Sequence, residues 1–400
     1  MPGSVEVCGD GLDNDCNGAT DCADLACADR RCGNGMACLR GACACVGAVI
    51  VDSPDAGPGE ISTIASVQDP SAQRVAWAIP SRGTLTWAEC TSGCTTLNPV
   101  FRAGVILAPP AATVVAASIA AKPGGGMVAA AISGTMNSFS LLYGACSATC
   151  LDPMSWTWTV VDSNVENVIP RIAVSGSTTS LAAITGIGYA AANDSNYAEC
   201  SANCDAAGSW TTTKPFGQSM SARPGLAMAL PVRGYVNRNG EFGRCATVSC
   251  GPAGNWTRAT TGIGANEGGA LQFLDGGVPR VFGQELGTIR TARCSALPCA
   301  MGMAWSSATI ASGVTAPQRQ VDVALDGQER GAVVFQRATG SNTTLAVARE
   351  GPNGWATSAV PACGAAFVGA IPVAELTAAG DLRTFFHATA TRDIRYYVAP

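Results

Sequence analysis

Short apolar runs recur along residues 60–400, broken every few positions by Gly, Asn, Asp and Ser. Runs of four to eight residues bounded by such turn formers read as β-strands. One set of four is 171–174, 180–184, 196–200 and 210–213. Asp275, Gly276 and Gly277, and likewise Asp326 and Gly327, are suited to hairpin turns between the first and second strands of two further sets. The 47 glycines and the many alanines suit short strands and tight turns better than long helices.

Cysteines give the strands a period. Pairs fall at Cys90/Cys94, Cys146/Cys150, Cys200/Cys204, Cys245/Cys250 and Cys294/Cys299, with first members 56, 54, 45 and 49 residues apart. In the last four pairs a tryptophan stands six residues after the second cysteine: Trp156, Trp210, Trp256 and Trp305. Val100 holds that place in the first copy. A sixth copy lacks cysteines but keeps the frame, in residues 345–349 followed by Trp355. The pairs lie between third and fourth strands. A disulfide there would staple the outer edge of each sheet, and the tryptophan would anchor the outermost strand, which is the least buried.

A four-stranded unit of roughly 40–55 residues has the size of a propeller blade. The predicted fold is all-β, a seven-bladed β-propeller with blades near 60–101, 110–162, 168–214, 220–260, 266–311, 318–360 and 364–400. The last blade offers only three strands. Residues 46–52 form an orphan strand that would supply the fourth and close the ring, leaving no exposed edge. Six blades or a β-solenoid are the alternatives. The pattern resembles the blades of seven-bladed propellers in secreted bacterial proteins, which implies an architecture and no activity.

Composition changes the picture at one end. Residues 1–29 contain Glu6, Asp10, Asp13, Asp15, Asp21, Asp24 and Asp29 and no Lys or Arg. With those seven removed from the 29 acids of the chain, the rest carries 24 bases against 22 acids. The body is nearly neutral and has no basic stripe, which argues against nucleic acid. No run of 18 apolar residues exists, so no membrane span is expected. Nineteen cysteines, regularly placed, point to an oxidising, extracytoplasmic compartment: secreted, periplasmic or outer-surface. The first residues lack the basic and apolar regions of a signal peptide. A monomer is expected.

The acidic segment, 1–45, is read as a separate cysteine-rich head before the propeller at 46–400. With Asp13 as position 1 of a twelve-residue loop, side-chain oxygens fall at positions 1, 3, 5, 9 and 12: Asp13, Asp15, Asn17, Asp21 and Asp24. Gly18 falls at the sharp turn and the Ala19 carbonyl at position 7. Calcium is a hard ion taking six to eight oxygens, so this set, over 13–24, fits the calcium-loop template, with Asp in place of Glu at position 12. Asp10 could join or replace a ligand. An acidic, solvated loop with no ion is the bland alternative. Residues 6–22 resemble the metal-binding repeats of surface proteins in myxobacteria and related bacteria, and also the aspartate-rich loops of thrombospondin type 3 repeats. The resemblance implies divalent-metal binding at those loop positions. Residues 32–45 look like an EGF-type fragment, read as a stapled spacer. Eight head cysteines allow 105 pairings, and Cys363 leaves the chain with an odd thiol.

No catalytic set emerges. His387, the one histidine, is expected to pack on an inner strand. Zinc is excluded for want of histidines and because the cysteines are needed for bridges. Residues 201–210 are similar to the structural turn boxes of sialidases, Ser-x-Asp-x-Gly-x-x-Trp. A sialidase would also need converging arginines, for which Arg171, Arg223 and Arg280 are candidates. The leading expectation is a non-enzymatic secreted or surface recognition protein binding an extracellular protein or glycan. A sialidase-like glycan hydrolase and a purely structural envelope protein are the alternatives.

Overall fold

The computed structural model describes residues 5–8, 10–27, 31–33, 36–39, 42–45, 48–51, 61–67, 73–92, 100–109, 112–123, 125–135, 138–167, 169–176, 183–191, 194–216, 225–229, 231–237, 239–247, 249–264, 268–285, 287–299, 305–314, 322–326, 328–339, 342–359, 369–376, 382–388 and 393–399. Among them the chain is all-β, with only single turns of 3₁₀ helix. No helix among these residues is long and apolar enough to cross a membrane.

Near the start, Arg31–Gly33, Met36–Leu39 and Ala42–Cys45 form a small antiparallel sheet. Four-stranded antiparallel units follow, each a simple meander. Their first strands are Thr63–Val67, Thr113–Ala121, Arg171–Gly176, Gly225–Ala229, Gly268–Phe273, Asp322–Leu325 and Gly369–Leu376. Each packs on the next in that order, and Gly369–Leu376 packs back on Thr63–Val67. Polar contacts stitch this inner circle: Ala117 N–H donates to Thr63 Oγ1 at 3.1 Å, and Ala374 N–H to Asp322 Oδ2 at 2.9 Å. Units are numbered first to seventh below by these strands. The second and third are joined by one residue pair, Val165 with Ala191, into an eight-stranded sheet.

The last unit contributes three strands, Gly369–Leu376, Leu382–Ala388 and Asp393–Ala399. Its fourth is Ala48–Val51, antiparallel to Asp393–Ala399, as the orphan strand at 46–52 led one to expect. The sequence-based borders shift elsewhere. The first unit's outer strand is Val100–Leu107, past the expected end at 101. The third unit's second strand is Ala183–Ala191, later than 180–184. Gly186 and Gly188 blur its apolar pattern. Gly186 is needed there, because a Cβ would lie 2.7 Å from the Tyr197 hydroxyl. His387 lies on the second strand of its unit, not an inner one, and is buried.

The disulfides lie beside the bond that accounts for the tryptophan offset in three units. Cys146–Cys150, Cys200–Cys204, Cys245–Cys250 and Cys294–Cys299 are bonded as expected. Cys90 is disulfide-bonded too, while its expected partner Cys94 lies outside the described residues. Indole Nε1 of Trp156, Trp210 and Trp256 donates, each at 2.8 Å, to the carbonyl of the second cysteine six residues earlier. In these three units the bond fixes the distance from the second cysteine, so the loop between the cysteines can vary, while Trp305 keeps the offset without it.

Each indole also packs on the unit before it. Trp156 meets Trp87, Trp210 meets Tyr143, Trp256 meets Tyr197 and Trp305 meets Phe242, with ring centres 5.7, 5.0, 5.1 and 5.5 Å apart. All four partners stand three residues before a first cysteine. The outer strand of one unit is thereby locked to the third strand of its predecessor. In the first unit Phe101, not Val100, occupies the tryptophan's register, opposite Cys90. It packs on Tyr396 and Phe385 of the last unit, carrying the same lock across the joint between chain ends. In the sixth unit Trp355 pairs with Glu350, so Glu350 stands where a first cysteine stands elsewhere. A tight turn into Gly354, at φ +103°, replaces the disulfide loop.

Candidate functional site

Three polar clusters are candidates: one in the head and two between neighbouring units. In the head, Gly18 takes φ +92°, a conformation that favours glycine, as position 6 of the loop template requires. Asp13 turns the chain over itself, its Oδ1 accepting from Asn17 N–H at 3.1 Å and its Oδ2 from Gly18 N–H at 2.9 Å. Asp15 accepts from Asn17 N–H and Nδ2, both at 3.1 Å. Glu6, outside the twelve-residue template, is buried against the loop and accepts from the N–H groups of Asn14, Asp15 and Asp21. Carboxylate oxygens of Glu6, Asp13 and Asp15 lie within 4.8 Å of one another.

The other predicted carboxylate ligands, Asp21 and Asp24, stand outside this cluster. Asp21 accepts from the N–H groups of Asp10 and Gly11. Asp24 is buried and accepts from Ala26 N–H and Asn17 Nδ2, both at 2.7 Å. Ala19 donates its N–H to Asn17 Oδ1 at 2.9 Å. Asp10 accepts from Leu12 N–H and Asn14 Nδ2. The converging donors are all oxygens and all anionic, a set that fits a hard divalent cation. The surrounding N–H donors take only part of each carboxylate's lone-pair capacity. Cys8–Cys27 closes this loop, Cys22 is also bonded, and Cys16 is a free, exposed thiol. Cys363 lies outside the described residues.

The second cluster lies between the fifth and sixth units. The position three residues before Cys294, aromatic in the four preceding units, is Thr291. Arg280, on the second strand Pro279–Glu285, fills the vacated room. Its Nη1 and Nη2 donate to Glu350 Oε2 and Oε1 at 2.7 and 2.8 Å, and its Nε to Thr291 Oγ1 at 3.2 Å. The guanidinium stacks 5.1 Å from the Phe282 ring centre and 5.6 Å from that of Trp355. Burial works against the Glu350 carboxylate, yet the bonds from Arg280 and Gly331 N–H hold it below the usual carboxylate range. A groove of about 210 Å³ opens over this pair, walled by Trp355, Ala308, Thr291, Arg293 and two serines.

The third lies between the second and third units. It is a groove of about 400 Å³ lined by Asp162, Tyr189, Ala191, Asn196, Thr212, Thr213 and Lys214. Tyr189 donates its hydroxyl to Asp162 Oδ2 at 2.6 Å. Burial, with that bond next, pushes the phenol far above its ordinary range. Lys214 is ion-paired with Asp194.

Of the arginines weighed for a sialidase, Arg171 begins an inner strand, and its charge acts on Asp322 of the sixth unit's inner strand. Arg280 is on a second strand, engaged between units, and Arg223 lies outside the described residues. Arg171 and Arg280 therefore do not share a site. Sequence reasoning missed Glu6, Glu350 and Asp162. Only the aromatic three before each first cysteine, and its replacement by Thr291, could have flagged the Arg280 groove in advance.

No known protein family matches the chain, and no curated protein does. Solved structures with a similar course of chain include a fucose-specific lectin from Aleuria aurantia, 16% identical, covering 76% of this chain and 97% of that one, with a TM-score of 0.47. The WD40 domain of Toxoplasma gondii coronin is 8% identical, over 85% of this chain and 81% of that one, at 0.48. The NanB sialidase of Streptococcus pneumoniae is 12% identical, over 88% and 70%, at 0.45. The strand pairings and inner-strand contacts described above remain the ground for the architecture.

Proposed function

We propose that this chain is a non-enzymatic, secreted or cell-surface recognition protein: a seven-bladed β-propeller that binds a glycan between its fifth and sixth blades, preceded by a calcium-binding head. The return of the last inner strand onto the first, and the completion of the last unit by Ala48–Val51, support seven blades. The disulfides support an oxidising, extracellular setting.

The Arg280–Glu350–Trp355 groove carries the glycan reading. A sugar hydroxyl is both donor and acceptor. A guanidinium paired with a carboxylate can serve two neighbouring hydroxyls at once, the carboxylate accepting from one and the guanidinium donating to the other. The Trp355 ring and Ala308 offer apolar surface to the C–H face of a pyranose. The charges at the groove, Arg280 and Arg293 against Glu350 and Glu329, balance, so a neutral sugar suits it.

The test is isothermal titration of the full chain with methyl glycosides of the common neutral hexoses, followed by Glu350→Gln and Trp355→Ala. Binding that both substitutions abolish supports the site. No heat with any sugar, or binding indifferent to both changes, overturns it. In the head, Glu6, Asp13 and Asp15 would hold calcium, with Asn17 and the Ala19 carbonyl completing the shell and Asp21 and Asp24 shaping the loop. Calorimetric titration of the full chain with calcium chloride should give heat that Asp13→Ala and Asp15→Ala remove. An unmutated chain without heat sinks the calcium reading.

A further inference from the structure

We infer that the groove between the second and third units is a second saccharide site, independent of the Arg280 groove, so that one chain binds two sugar units at separate places. This rests on the glycan reading above. Outer strands of this fold are bulged, the first unit's at Ile106 and the fifth's at Ile310 among them. The second unit's outer strand, Trp156–Val165, carries two extra residues in its pairing with Ser138–Cys146, at Val161 and at Asn164. Asn164 sits at φ +61°, a left-handed conformation uncommon outside glycine. Bulges re-aim side chains and end regular pairing. These two bracket Asp162 and Ser163 and bend the strand toward the third unit. There Val165 pairs with Ala191, and Glu166 N–H donates to the Ala190 carbonyl at 2.8 Å. A comparable single bridge, Val314 with Arg337, joins the fifth and sixth units. The groove lies beside the Val165–Ala191 junction.

Its chemistry is arranged as a saccharide site. Asp162 is fixed at both oxygens, Oδ2 by the Tyr189 hydroxyl and Oδ1 by Ser163 N–H at 2.8 Å, and each oxygen keeps acceptor capacity. The Tyr189 phenol stays neutral at any physiological pH, so it remains the donor that orients this carboxylate. Lys214 has about half its side chain exposed and supplies mobile donors. Thr212 and Thr213 add hydroxyls that act either way. Asn196, 5% exposed, lies at the floor, its Nδ2 only 3.5 Å from the Ala191 carbonyl, a weak bond that a ligand oxygen can outcompete. A vicinal diol, donating to Asp162 and accepting from Lys214, satisfies such a mixture of fixed acceptor and mobile donor. The volume, about 400 Å³, admits one or two sugar rings.

The experiment is calorimetric titration of the full chain with the same methyl hexosides, on the unmutated protein, Asp162→Asn, Lys214→Met and Glu350→Gln. Circular dichroism melts show whether each variant is folded. Two binding events per chain are expected. Asp162→Asn and Lys214→Met should weaken one of them about tenfold or more and leave the other, while Glu350→Gln does the converse. One event per chain, removed by Glu350→Gln and untouched by Asp162→Asn and Lys214→Met, overturns the second site and leaves the first standing. No binding by any sugar overturns both. Should Asp162→Asn or Lys214→Met fail to fold, Thr212→Val, on an exposed side chain of the groove, decides alone.

Discussion

Among the described residues, two arginine–glutamate forks join neighbouring units, and they differ in what covers them. Arg233, on the fourth unit's second strand, donates Nε and Nη2 to Glu199 of the third unit at 2.9 and 3.3 Å. It is 1% exposed. Tyr197 closes over it, donating its hydroxyl to the same carboxylate at 2.8 Å while its ring packs on Trp256. Arg280 makes an equally good fork with Glu350, but Thr291 stands where Tyr197 stands, and the Glu350 side chain is 26% exposed. The aromatic three residues before the first cysteine thus decides whether a fork is sealed into the core or left lining a groove. Identical ionic chemistry is structural at one joint and accessible to ligand at the other.

Removing the arginine should separate the two most sharply. Arg233→Met leaves Glu199 buried with its charge uncompensated, although Tyr197 and Cys250 N–H still donate to it. A loss of about 3–5 kcal/mol is expected in urea unfolding. Arg280→Met leaves Glu350 in reach of water and should lose about 1 kcal/mol. Equal losses would break the comparison.

A third polar contact between units has no fork at all. Glu375, on the last inner strand, is pushed up to about 7, first by burial; its bond to Ser66 of the first unit and the charge of Arg383 pull it down, and Asp322 pushes it up again. Burial likewise raises Asp322. A carboxyl whose folded value lies above its unfolded one holds a proton that the unfolded chain has already released. Stability is therefore full below about pH 4.5 and falls as pH rises through about 7, by about 3 kcal/mol for Glu375. Urea midpoints at pH 5 and pH 8 measure it, and Glu375→Gln should remove most of the difference. Arg280–Glu350, with Glu350 held low, predicts the opposite sign, stability lost only as acid protonates Glu350.

Much of this architecture could be read from residues alone, and the reason is local. A disulfide over four or five residues, an indole six residues on and a two-residue hairpin are short-range devices, so spacing reveals them. The strand at 46–52 was legible because the last unit came up one short. The grooves were not legible in that way. Arg280 and Glu350 are 70 residues apart and meet only after two sheets pack face to face. Glu6 lies seven residues before the loop template begins, and it entered the acidic cluster through a turn that no spacing rule specifies. Gly186 helped hide a strand for the converse reason, since close contact with Tyr197 excludes the side chain that would mark it.

The staples give a smaller effect. Cys200→Ser with Cys204→Ser opens a loop of only a few residues, for which chain entropy gives about 2 kcal/mol. The Trp210 indole still reaches the carbonyl at position 204, so the joint to Tyr143 should survive the loss. A fluorescence spectrum of Trp210 that changes before global unfolding would show that the disulfide, not the indole, holds the outer strand.

The smallest expected change in stability tests the comparison most directly. Thr291→Tyr restores the aromatic that the first four units carry. The new ring would occupy the groove of about 210 Å³ beside Arg280 and pack toward Trp355, as Tyr197 packs on Trp256. It gains apolar burial but displaces the Thr291 hydroxyl that accepts from Arg280 Nε, so the net change should stay within about 1 kcal/mol. Sugar binding at this joint should vanish while binding at the Asp162 groove continues. If Thr291→Tyr leaves titration with sugar unchanged, the groove is not the ligand's place, and the difference between the two forks is one of packing alone.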